Sequence, residues 1–289
     1  MSRSRHVIVS DENLLGEMLQ VYSSAAQQLM QIREALDGAD YQIVMYLRPQ
    51  ASWLASAYLQ HIQEGGTLMG SNFLEEILER EFLEWRVLCG LLSRESGARR
   101  VWVRAYVPGR DVVRDFFAIS GLGSPPVPTT GKLRINASIS ATQALILRTL
   151  NADPSVSPDE RLLMRRLFQG ILVPTNSRCS PFPQQDQETI TRRFWPDWIA
   201  LAEMLDDVDP NEAQVFRKSA VLWDTPALPY AGSRLSDPEV VAELLRCLRL
   251  LGAAVQTPSR SMLSRALDKA TQNPRDLPRL LSRTLRRRI

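Results

Sequence analysis

One stretch, Tyr41 to Glu64 (YQIVMYLRPQASWLASAYLQHIQE), limits most strongly what this chain can fold into. Ile43 to Leu47 has the length and the Val/Ile/Tyr content of a buried strand. Arg48-Pro49 ends it, because proline fixes its φ and has no N–H for a sheet, yet suits the first turn of a helix. From Ser52 onward, Trp53, Leu54, Ala57, Tyr58 and Ile62 recur at helical spacing. The stretch therefore predicts a strand, a tight corner and a helix, with the corner at the carboxyl edge of a sheet, where open α/β folds bind ligands. Arg48 sits on that corner, and Ser56 follows eight residues later, about two turns into the helix.

A guanidinium at a strand end and a hydroxyl on the next helix can hold one phosphate, the fork taking two oxygens and the hydroxyl adding a donor from the side. The other reading is that Arg48 pairs with a surface carboxylate and Ser56 is an ordinary helix residue. Spacing alone favours this second reading, since strand–Arg–Pro corners are common.

The flanking chain fits an α/β pattern. His6 to Ser10 reads as a short apolar strand, and Leu15 to Leu36 as a helix closed by Gly38. With the strand at Ile43 this makes a strand–helix–strand unit with a right-handed crossover. A second amphipathic helix is expected over Phe73 to Leu92, a third strand over Val101 to Val107 and a short helix over Asp111 to Ser120. Gly121 to Gly131, rich in proline and glycine, is a loop. Beyond Ser140 the chain reads as helical: Thr142 to Leu150, Pro158 to Leu172, Thr189 to Leu205, Pro238 to Leu251 and a last pair after Pro258. Val173 to Gln187 and Trp223 to Ser236 are Pro/Ser-rich connections.

Composition excludes several classes. At 289 residues and 44% hydrophobic the chain can bury a core, and its net charge of +3 is modest. It has no apolar run long enough to span a bilayer and no visible secretion signal. Cys89, Cys179 and Cys247 lie far apart without CxxC spacing, which fits a reducing cytoplasm, and with only His6 and His61 a histidine metal site is not expected. The end of the chain, Arg260 to Ile289, is strongly basic, with Leu277, Leu281 and Leu285 on one helical face. Such an end suits an anionic membrane surface, nucleic acid or a polyanionic acceptor; a solvated or frayed terminus is the alternative.

The string LRPQASWLASAYLQHIQEG resembles the segment of PAPS-dependent sulfotransferases that binds the nucleotide's 3′-phosphate. There an Arg ends a strand, a Pro often follows, a Ser comes eight positions after the Arg, and a Tyr lies close behind; Arg48, Pro49, Ser56 and Tyr58 fall on that pattern. The chain is most similar in flavour to bacterial sulfotransferase-family proteins associated with carbohydrate or polysaccharide sulfation. Val7 to Leu15 resembles their strand ending in Ser-x-Glu, and Lys132 to Asn151 their later Arg-x-Asn-x-Ser stretch, so the likeness runs over about Val7 to Leu205. It implies a parallel-sheet, P-loop-like nucleotide-binding core over 1–210, followed by a helical extension with the basic tail over 211–289. It also implies PAPS as cofactor, held by Arg48 and Ser56, and transfer of a sulfuryl group to a hydroxyl of a saccharide or similar acceptor. Glu12 matches the family's base, although Ser10-Asp11-Glu12 is equally a good helix start with acids at the dipole's positive end.

The chain departs from that family at one place. Members begin with a strand and a turn of the type Pro-Lys-x-Gly-Thr-Thr that cradles the 5′-phosphosulfate, and here only Gly131-Lys132 occurs, followed by Leu133 and with Pro126 where a phosphate loop needs its first glycine. A start assigned too late, a non-catalytic relative acting as a binding or scaffold protein, or a loop supplied by another chain would each account for this. A glycosyltransferase of similar sheet architecture is a further reading, without an Asp-x-Asp metal motif to support it. Trp53, Trp85, Trp195 and Trp198 would stack on sugars if exposed, with Arg192, Arg193 and Asp197 lining an anionic acceptor cleft; aromatics at helical spacing otherwise pack in a core.

Overall fold

Gln42–Leu47 form β1 and Arg100–Ala105 form β2, which run parallel and pair residue for residue from Gln42↔Arg100 to Leu47↔Ala105. This is seen in a computed structural model of the chain that describes residues 6–11, 13–125, 139–170, 179–219 and 230. Among the described residues the chain is α/β, mostly helical, with this one small parallel sheet. The connection from β1 to β2 carries α2 (Gln50–Gln63), α3 (Gly70–Ile77) and α4 (Trp85–Glu95), preceded by α1 (Ala25–Ala35). After β2 come α5 (Val112–Ile119), α6 (Ala141–Ala152), α7 (Pro158–Gly170), α8 (Gln184–Leu205) and α9 (Pro210–Ser219).

By its contacts the chain divides into two compact units. The first comprises Met1–Gln50, Glu75–Pro126 and Thr191–Thr225, the second Ala51–Leu74, Val127–Ile190 and Pro226–Ile289. In the first, α4 packs on α1 and β2, and α9 packs on β2. Its interior holds Leu29, Leu88, Leu92, Phe194, Trp198 and Phe216, all fully buried. In the second, α6 packs on α7, and Tyr58 meets the rings of Phe73 and Phe182 with centroids 5.3 and 5.7 Å away. The Asn151 amide donates to the carbonyls of Ile62 and Gly66, tying α6 to the end of α2.

Local chemistry explains the helix starts. Asp111 accepts a bond from the Arg114 N–H at the start of α5 (3.0 Å), and Ser140 with Gln143 forms a capping box on α6. Asp209 accepts from the Glu212 N–H (3.1 Å), and Pro210 fills the first position of α9, where its missing N–H costs nothing.

The structure differs from the sequence expectations at several points. Residues 6–10 form no strand, and Val7, Ile8 and Val9 are 85%, 50% and 72% exposed. β-Branched residues favour a pleated surface only where a neighbour supplies ladder bonds and packing, and this run has neither. The helix read over Leu15 to Leu36 is interrupted: Met18–Gln20 make a 3₁₀ turn, and Val21 and Tyr22 take left-handed backbone (φ 46° and 54°) before α1 begins. The 3.6 period of Leu15, Met18, Leu19, Tyr22, Ala25, Ala26 and Leu29 runs across the break, because periodicity records the spacing of apolar residues rather than backbone continuity. Phe73 to Leu92 likewise divides into α3, a 3₁₀ turn at Glu81–Leu83, and α4. Helix α8 starts earlier than read, inside the supposed connection, and continues through Pro196. Lys132 to Ser138 and the tail Arg260 to Ile289 lie outside the described residues.

The packing predicts a large asymmetry between buried and exposed positions of α8. Trp198 is fully buried, its ring lies 4.6 Å from that of Phe216, and its Nε1 donates to Phe216 O and Ser219 Oγ. Trp198→Ala should lower unfolding free energy in urea by about 3–5 kcal/mol, and Arg192→Ala, at an exposed position, should change it by no more than about 0.5 kcal/mol. Equal small effects would show that α8 is not anchored through Trp198.

Candidate functional site

Both strands end together, so their carboxyl ends define one edge of the first unit. β1 runs into Arg48 and β2 into Tyr106, whose N–H continues the ladder by donating to Leu47 O. The Arg48 guanidinium lies over the Tyr106 ring, 4.6 Å from its centroid. Tyr106 is 43% exposed and Arg48 half-buried. Among the described residues Arg48 makes no ion pair and no side-chain hydrogen bond. Stacking occupies the face of the guanidinium and leaves its in-plane N–H donors for another partner.

The corner itself is held from behind. Trp85 Nε1 donates to Arg48 O at 2.7 Å. Asp197, on α8, accepts from the Trp85 N–H (2.8 Å), the Arg86 N–H (3.1 Å) and the Gln50 side-chain amide (2.7 Å), and that amide also donates to Leu83 O. Glu84, the N-cap of α4, makes no side-chain cap bond, so Asp197 caps this helix from a distance in sequence. Burial raises the Asp197 carboxyl above the usual range, although its three hydrogen bonds favour the carboxylate. The Cys89 thiol nearby is pushed up to about 12, by burial first and by Asp197 second, so it is an inert core group.

Beside this edge lies a buried charge cluster. Tyr46 and Arg104 are register partners, so their side chains share one face of the sheet. Arg104 grips Asp115 with two bonds (2.7 and 3.1 Å) and reaches Asp209 (3.0 Å) and Glu212 (2.9 Å). Arg110 grips Glu212 with two bonds of 2.7 Å, and one Glu212 oxygen also accepts from the Ala105 N–H (2.6 Å). Tyr46 Oη donates to Asp115 at 2.7 Å. Burial would raise the Asp115 carboxyl, but bonds from Arg104 and Tyr46 and the charges of Arg104 and Arg110 outweigh it, and the net shift is downward. Burial, and then the bond to Asp115, raises the Tyr46 phenol. Two guanidiniums thus meet three carboxylates, leaving neither arginine free for a ligand.

The sequence-predicted groups fare differently. Arg48 lies where the strand–corner–helix reading put it, in the first unit. Ser56 is half-buried on α2 and belongs to the second unit. Glu12 lies outside the described residues. Tyr58 is a core residue, 4% exposed, donating to Leu68 O. Trp53, Trp85 and Trp198 are buried and offer no face to a sugar, because their helical spacing placed them in the interior. The expected cleft of Arg192, Arg193 and Asp197 does not form: Asp197 is turned inward to the α4 N-terminus, and Arg193 reaches Glu79 at 3.6 Å. Sequence reasoning missed Tyr106, Asp197 as a cap, and the Arg104/Arg110 cluster. The Asp-Pro-x-Glu start of α9 was a readable signal for Glu212; nothing local announced Asp197.

No family model, curated protein or solved structure matches the chain. Among the described residues no group of three His, Cys, Asp or Glu side chains is placed to hold a metal ion, and no helix is long and apolar enough to cross a membrane.

The charge cluster predicts a specific acid response. Glu212→Gln leaves Arg110 and Arg104 short of a partner in a buried setting and should cost about 3–5 kcal/mol of unfolding free energy. Asp115, with its folded-state pKa lowered, contributes stability present at neutral pH and lost as pH falls below about 4. Asp115→Asn should therefore be less stable than the parent at pH 7 and should show a shallower loss on acidification in urea titrations; parallel acid limbs would contradict the assignment.

Proposed function

We propose that the chain is a sulfotransferase-like protein that binds PAPS, with Arg48 on the nucleotide's 3′-phosphate, and acts on a hydroxyl of a saccharide or similar acceptor. The observation that carries this reading is Arg48 itself. It is a cation at the carboxyl edge of a parallel strand pair, in an Arg-Pro corner before a helix, with its donor edge unused among the described residues. A phosphate needs such a planar fork, and the neighbouring Arg104 and Arg110 are already neutralised. Ser56, eight residues on, is the second contact that the resemblance implies.

PAPS, when bound, supplies the sulfuryl group: the sulfur's bond to the 5′-phosphate oxygen breaks as its bond to the acceptor oxygen forms, leaving PAP. The chain's part is to grip the donor, orient the acceptor hydroxyl and take its proton. Glu12 holds the base role in this proposal on the strength of resemblance. A second reading is a binding or scaffold protein that keeps the sheet but has lost turnover.

Calorimetric titration with PAP tests the proposed phosphate contact. The wild-type chain should bind, and Arg48→Ala should weaken binding by at least about tenfold, the loss of a charged hydrogen-bonding group being worth roughly 1.5–3 kcal/mol. No binding by wild type, or unchanged affinity in Arg48→Ala, overturns the assignment. A folded wild-type chain whose melting temperature does not shift with PAP fits the second reading.

A further inference from the structure

The corner that carries Arg48 begins a helix directly after a strand. Pro49 has no N–H, and Gln50 is the first residue of α2, where backbone donors have no partner within the helix. Yet the corner is closed into a ring of bonds. Arg48 O accepts from Trp85 Nε1 (2.7 Å), the Trp85 N–H donates to Asp197 (2.8 Å), and Asp197 accepts from the Gln50 amide (2.7 Å), which returns through Pro49 to Arg48. Gln50 is 0%, Trp85 1% and Asp197 7% exposed, so these bonds operate away from water.

We infer that Asp197, acting through Trp85 and Gln50, is a positioning residue that fixes the direction in which Arg48 leaves β1 and so sets its fitness to bind a phosphate. The phosphate-binding part of this statement rests on the reading of Arg48 given above. Asparagine cannot replace Asp197: its two side-chain atoms would face N–H donors, and the amide nitrogen would oppose one of them. Trp85 Nε1 is the last link, and Phe at that position keeps a smaller aromatic ring while removing the donor to Arg48 O.

Two measurements test it. Trp85→Phe, Gln50→Met and Asp197→Asn should each weaken PAP binding by about 3–10-fold at temperatures where each variant is folded by circular dichroism. In an Arg48→Ala background the same substitutions should have no further effect, because they act through Arg48. A role confined to stability would lower the melting temperature and leave affinity unchanged, and that result overturns the inference, as does additivity with Arg48→Ala. Independently of PAP, the Arg48 Nε–Hε resonance, assigned by its loss in Arg48→Ala, should shift or broaden in Trp85→Phe; an unchanged resonance overturns the inference. If that resonance responds while wild type fails to bind PAP, the clamp stands and the PAPS reading falls.

Discussion

A parallel pair of strands is weakly held unless something fixes its ends, and here both ends at the carboxyl edge are tied by buried polar groups. At β2, Glu212 accepts from the Ala105 N–H and holds Arg110 in a fork, while Arg104 joins Asp115, Asp209 and Glu212. At β1, Trp85 holds the Arg48 carbonyl and is itself held by Asp197. Helices α4, α8 and α9 therefore act as anchors for two short strands, and the residue-for-residue pairing of those strands brings Arg48 beside Tyr106. The site is a product of this end-fixing more than of sheet size.

Magnitudes limit what Arg48 can do alone. One charged hydrogen-bonding group contributes roughly 1.5–3 kcal/mol, whereas association costs an estimated ~4–15 kcal/mol in lost freedom. Any phosphate-bearing ligand would therefore need contacts beyond this corner. The cluster next door cannot help, because its two arginines face three carboxylates and carry no surplus positive charge. Its effect is structural: it holds the end of β2 next to Tyr106.

Legibility from sequence followed the range of the interactions. The β1–corner–α2 unit was readable because Ile43 to Leu47, Pro49 and the apolar spacing after Ser52 each act within a few residues. Helix α5 was readable through Asp111, whose carboxylate meets an N–H three residues on. The strand expected at residues 6–10 failed because strand formation needs a partner that composition does not reveal. The break at Val21 and Tyr22 escaped notice because the apolar residues on both sides keep the helical period. Pro196 would ordinarily stop a helix, yet α8 passes through it, anchored on both sides by buried Phe194 and Trp198. Asp197 caps a helix that starts 112 residues earlier, and no local pattern encodes that pairing.

The way Asp197 is satisfied bears directly on Arg48. A buried carboxylate needs compensation, and a nearby guanidinium is the commonest source. Asp115 is treated that way, and its arginine is consumed by the pairing. Asp197 instead takes its compensation from two backbone N–H groups at the start of α4 and one side-chain amide, with no salt bridge among the described residues. Neutral donors and a helix terminus thus hold the corner without drawing on the one guanidinium it carries. Had the anchor been an ion pair to Arg48, its cation would already be spent; supported from behind by uncharged groups, the corner leaves the Arg48 donor edge unused among the described residues.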